Sequence, residues 1–119
     1  MTVETVLANI ESLAYKNHNL MKQFVVICEV CRKYYEIDSD VFYNTIRTKK
    51  REAADSRAVA IYLGHKMYAE KGLDGWSHMA SVLQMDHASM IHNNSKITSL
   101  LLFDKPMQKA VAEITEMLK

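Results

Sequence analysis

The chain has 119 residues, 49% of them hydrophobic and 24% charged, with a formal net charge of +1. That length buries one core but not two, and the composition is that of a folded domain, which excludes the disordered class. A net charge so near zero also excludes a protein that coats polyanions through bulk charge alone.

Three glycines and one proline leave little turn chemistry for a many-stranded sheet, so an all-α fold of about six helices is expected. The opening VETVLANIESLAY sets Val3, Val6, Leu7, Ile10, Leu13 and Ala14 at helical spacing behind Thr2, a candidate cap. Acids stand there in place of the basic start of a secretory signal, and no apolar run approaches the roughly 18–20 residues of a membrane span. A cytoplasmic protein without a membrane segment is expected.

After KNHN, LMKQFVVICEVCRKYYEI is apolar at Met21, Phe24, Val25, Ile27, Cys28, Cys31, Tyr34 and Tyr35, the wide stripe of a central helix. The CxxC at Cys28 and Cys31 lies inside that helix, with no second Cys or His pair at zinc-ribbon spacing. It reads as two buried thiols, with a redox or metal role as the alternative. Asp38 and Asp40 are candidate caps for a short turn over Val41, Phe42 and Tyr43.

The basic segment follows. Residues 42–66 carry a net +4, against −2 before them and −1 after, and NTIRTKKREAADSR gathers Arg47, Lys49, Lys50, Arg51 and Arg57. It has no apolar periodicity up to Arg51 and reads as a loop that leads into a helix. In EAADSRAVAIYLGHKMYAEKG, Ala54, Ala58, Ile61, Tyr62, Leu63, Met67 and Tyr68 share one side, and Gly72 is the expected C-terminal stop.

Trp76, Met79, Ala80 and Leu83 then give the apolar face of a short helix, and Met90, Ile91, Ile97 and Leu101 that of a longer one. Only Gln84-Met85-Asp86 separates them. This is the helix-turn-helix arrangement, in which the second helix presents its first residues to the major groove. Asp86 suits an N-cap. His87, Ala88 and Ser89 behind it are short or polar, as a helix end that approaches base edges requires. Trp76 is expected to anchor the motif's core and the eight methionines to fill gaps. His65 and His78 are expected on exposed faces without a ligand partner, so no metal or cofactor is expected.

The chain from about Val26 to Leu118 resembles the C-terminal DNA-binding domain (domain IV) of the bacterial replication initiator DnaA, of the Trp-repressor-like helix-turn-helix group. The resemblance lies in VICEVCRKYYEI, KKREAADSRAVAIYLGHKM, DHASMIHNNSKI and a closing helix in ITEMLK, in that order. It implies a helix-turn-helix domain at 21–119 behind a helical extension at 1–20. It also implies DNA contacts at Lys49, Lys50, Arg51 (minor groove), Arg57, Asp86, His87, Ala88 and Ser89 (bases) and Lys96 (phosphate), with His92 structural. Two features depart from the family: Gln84-Met85 replaces Gly-Gly-Arg before Asp86, and Ala88 and Ser89 replace two threonines. No phosphate-binding G-x-x-x-x-G-K-[ST] loop is present.

The functional expectation is a sequence-specific double-stranded DNA binder that regulates replication or transcription. Helix Asp86 to Leu101 would enter the major groove, and the loop Arg47 to Arg51 would reach phosphates or the minor groove. The alternative is a protein-interaction module that keeps the scaffold without reading DNA. No enzyme is expected, because Asp86 and His87 are adjacent at a helix start, where their side chains diverge, and no Ser or Cys nucleophile sits in a strained turn beside them. The N-terminal helix would either close the open face of helix two or pair with its copy in a homodimer.

Overall fold

The structure, a computed structural model, describes residues 2–12, 18–43 and 51–119. Among them every regular element is an α-helix: α1 (Val3–Ser12), α2 (His18–Tyr34), α3 (Ser39–Phe42), α4 (Arg51–Glu70), α5 (Trp76–Leu83), α6 (His87–Leu100) and α7 (Lys105–Met117). The helix beyond the expected six is α3, where the short turn closes behind Asp38 without a side-chain cap bond. Arg47, Lys49 and Lys50 lie outside the described residues. No helix among those described is long and apolar enough to cross a membrane.

Thr2 caps α1, its hydroxyl accepting the Thr5 N–H at 3.3 Å. Val6 and Ile10, spaced one turn apart, bury themselves in the same core as α2, and Glu11 pairs with Lys22 across the two helices. The centre of the bundle is the α2 and α4 pair, with α5, α6 and α7 packed around it. The apolar stripe of α2 predicts this place, since Met21, Phe24, Val25, Ile27, Cys28 and Cys31 are all buried. Cys28 and Cys31 are free thiols. Burial pushes Cys31 up to about 12 and Cys28 well above its ordinary value, so neither is a thiolate near neutrality.

Gly64 sets how closely α4 approaches its neighbours. A Cβ there would fall 2.6 Å from the Phe24 ring and 2.7 Å from Met79 Sδ. Only glycine leaves that space at the crossing of α2, α4 and α5.

Three helices, α2, α4 and α5, end in a left-handed residue. At Gly72 (φ +75°) the Leu73 N–H reaches the Tyr68 carbonyl at 2.9 Å and the Gly72 N–H that of Ala69 at 3.0 Å, which closes α4 in a Schellman motif. Glu36 (φ +56°) closes α2 in the same way. Gln84 (φ +52°) does so for α5, with the Met85 N–H on the Ala80 carbonyl at 3.2 Å. Beyond α2 a polar tie holds the chain. Arg32 donates to both oxygens of Glu29 at 2.9 and 2.7 Å and to the Ile37 carbonyl at 3.0 Å, and the Tyr43 hydroxyl donates to Glu29 at 2.7 Å. Burial pushes the Glu29 carboxyl up, yet the bonds from Arg32 and Tyr43 outweigh it and hold the group below its ordinary value.

Candidate functional site

The expected helix, turn and helix are present as α5, Gln84-Met85-Asp86 and α6. Asp86 is the N-cap, with Oδ1 accepting the Ser89 N–H at 2.6 Å. That bond fixes the first turn of α6, where His87 and Ala88 are exposed and Ser89 is half-buried.

Met90 and Ile97, seven residues apart and so on one helical stripe, are fully buried. Their inward direction turns the next two residues outward, and this corrects two expectations. Ile91, read as part of the apolar face, is 48% exposed. His92, expected to be structural, is exposed as well. The outer surface of α6 therefore carries His87, Ala88, Ile91, His92 and Ser95.

Beside this surface a cleft of about 500 Å³ separates α4 from the start of α6, lined by Arg57, Asp86, Ala88, Ser89, His92 and Asn93 among others. Asn93 donates to the Ser89 carbonyl at 2.7 Å, one turn back along α6. Arg57 faces the cleft only in part. Its Nη1 donates to the carbonyls of Val41 at 3.2 Å and Phe42 at 3.4 Å, tying α4 to α3, and burial lowers its pKa.

Further along α6, Lys96 donates to Asp55 Oδ1 at 3.2 Å, while Arg51 Nε lies 3.8 Å from Asp55 Oδ2. The Asp55 side chain is 17% exposed, that of Lys96 39% and that of Arg51 85%. One carboxylate thus bridges two of the expected contact residues. Sequence reading missed Asp55, although its i,i+4 spacing from Arg51 on a helix was a visible sign. Arg51, Arg57, Asp86, His87, Ala88, Ser89 and Lys96 all come from the first half of α4 and from the N-cap and first three turns of α6, two helices packed against each other.

Two histidines differ from expectation, since both were placed on exposed faces. His65 is half-buried, stacked on the Trp76 ring at 4.2 Å and 10°, with Nδ1 2.8 Å from the Asp74 carbonyl oxygen. His78 turns inward, edge-on to Tyr68 at 5.3 Å, and burial lowers its pKa with Asp74 opposing. Both follow from packing of α5 on the end of α4, which a single-helix pattern does not contain. Among the described residues no three His, Cys, Asp or Glu side chains gather where a metal ion would fit.

The fold and this surface define an all-helical bundle whose sixth helix presents a capped, polar first turn to solvent. Searched against models of protein families and against curated proteins, the chain matches none.

Proposed function

We propose that this protein binds double-stranded DNA sequence-specifically and regulates replication or transcription in the cytoplasm, in the manner its resemblance to the DnaA C-terminal domain implies. One observation carries the reading. The start of α6, with His87 and Ala88 exposed and Ser89 half-buried, lies on the same pair of helices as the cations Arg51 and Lys96.

In this reading α6 enters the major groove by its N-terminus. His87 and Ser89 offer hydrogen-bonding groups to base edges, and the Ala88 methyl and Ile91 offer apolar contact to thymine methyls. Asp86 acts on the reading head chiefly by shaping it, since its Oδ1 holds the Ser89 N–H. Arg51, with Lys49 and Lys50 just before it in sequence, supplies charge to phosphates or an adjoining minor groove. Lys96 reaches a phosphate by exchanging its bond to Asp55. Arg57 contributes more to holding α3 against α4 than to the ligand.

About four to six phosphate contacts give a log–log salt slope near −0.9 for each. The test is a selection of bound fragments from a random duplex pool, followed by anisotropy titrations of the selected site. Arg51→Ala should weaken binding to all duplexes, and His87→Ala should lower preference for the selected site. Unchanged affinity and preference in both variants would overturn the reading.

A second reading has its own support in the net charge of +1 and in the Asp55 carboxylate, which offsets two of the surface cations. The same surface would then serve a protein partner in the replication or transcription machinery. Absence of salt-sensitive duplex binding, together with recovery of a defined partner, would favour it.

A further inference from the structure

From His87 to Ser95 the exposed side chains of α6 are His87, Ala88, Ile91, His92 and Ser95. None is a guanidinium, ammonium, carboxylate or amide. A neutral imidazole presents both a donor and an acceptor, a hydroxyl is both at once, and the two apolar side chains are neither. The groups of fixed polarity are engaged elsewhere or set back. Lys96, a donor only, is half-buried on Asp55, and Asp86, an acceptor only, holds the Ser89 N–H through Oδ1. The amide of Asn93 donates to the Ser89 carbonyl, and Asn94 is half-buried.

Two features of a pyrimidine are readable in the major groove. Its 4-position is an acceptor in thymine and a donor in cytosine, and its C5 carries a methyl in thymine. Groups of fixed polarity select on the first. An apolar patch flanked by groups that can either donate or accept selects on the second, because only the methyl then changes the contact. Ile91, 48% exposed, is such a patch together with Ala88. His87 stands one turn before Ile91 and Ser95 one turn after, on the same face. A lone exposed isoleucine is ordinary on a protein surface. Its place between an imidazole and a hydroxyl is what gives it a reading role. Ala88 and Ile91 lie about 4.5 Å apart along the helix axis, near the roughly 3.4 Å of one base step, so the patch spans neighbouring bases.

We propose that α6 selects the C5-methyl group of pyrimidines through Ile91 and Ala88, and so accepts 5-methylcytosine as well as thymine in its duplex target. This rests on the DNA-binding reading above and names the chemical group that is read. His87 and Ser95 donate to O4 of thymine or accept from the 4-amino group of 5-methylcytosine, and neither base is refused. Covering one methyl carbon corresponds to about four-fold in affinity.

The test remakes the duplex selected for binding with each thymine replaced in turn by deoxyuridine, which removes one methyl and leaves the hydrogen-bonding edge intact. Anisotropy titration should show a loss of about four-fold at neighbouring positions. There a 5-methylcytosine·guanine pair should bind more tightly than a cytosine·guanine pair by a similar factor. Both ratios should hold from low to high salt, since a methyl changes no phosphate contact. Ile91→Ala should bring both ratios close to one with the wild-type circular dichroism spectrum, because the side chain is exposed, and Ile91→Val should retain most of them. Three results would each overturn the proposal and leave DNA binding standing: equal affinity for thymine and deoxyuridine at every position, a 5-methylcytosine duplex no tighter than its cytosine counterpart, or an Ile91→Ala variant with both ratios intact. A wild type that binds no duplex in a salt-sensitive way would overturn the DNA-binding reading and this proposal together.

Discussion

The two halves of α4 are held by different forces. From Ala58 to Tyr68 the helix is embedded, with Ala58, Val59, Ala60, Ile61, Gly64 and Tyr68 buried and the Gly64 backbone pressed against Phe24 and Met79. From Arg51 to Arg57 only Ala53 and Ser56 are buried, and polar bonds do more of the holding: Arg57 to the α3 carbonyls, and Asp55 to Lys96 and Arg51. Below that half, Tyr43 ties the end of α3 to Glu29. Close packing has no substitute partner, whereas an exposed ion pair can trade one partner for another at little cost. Under the proposed function, the polar half is the half that meets the duplex.

The largest test breaks the packed half. Gly64→Ala gains about 1 kcal/mol of helix propensity but forces Phe24 and Met79 aside, an overpacking that costs about 1–3 kcal/mol. Urea unfolding should show a net loss of stability, and the affinity of the folded fraction for duplex should not change. A higher midpoint would show that the crossing is loose.

Glu29→Gln probes the polar half through its tie to α3, and hydrogen bonds to a charged group of this kind contribute about 1–2 kcal/mol. Glu29 has a folded-state pKa below its ordinary value of 4.5, so its contribution is complete above that pH. It fades as pH falls through the folded value. The stability gap between wild type and Glu29→Gln should be full at neutral pH and narrow in acid, while the Gly64→Ala gap should not follow this titration. Equal pH dependence in both variants would erase the contrast.

Gln84→Gly relieves a left-handed residue in the turn before α6, where a side chain costs about 1 kcal/mol. A rise in melting temperature with an unchanged spectrum is the expected outcome. Smallest for the fold is Asp55→Asn, because surface ion pairs contribute about 0–1 kcal/mol. Under the proposed function it releases Arg51 and Lys96 together. Duplex affinity should rise several-fold at low salt, and the salt slope should steepen by about one phosphate contact. A fall in affinity would mean that Asp55 positions those cations and does not compete for them.

Much of this was legible in the chain itself. The caps at Thr2 and Asp86, the stop at Gly72 and the inward stripes of α2 and α6 are local: a side chain two or three residues away supplies the bond, or the helical period alone sets the direction. Ile91 was misread because a short apolar run on a helix has two candidate directions, and only the packing of Met90 and Ile97 selects between them. His78 was misread for a similar reason, since Tyr68 is ten residues away on another helix.

The sequence by itself determined that the chain is helical, that α5 and α6 meet across three residues, and that the first turn of α6 is small, polar and capped. Tertiary structure alone decided that Arg57 is half spent on α3, that Lys96 reaches the Asp55 carboxylate beside Arg51, and that Leu102 and Phe103 remain uncovered. The physical reason is range. Caps and amphipathic stripes are fixed within a few residues of chain, whereas the partner of a long charged side chain is whichever distant helix packing brings within hydrogen-bonding reach.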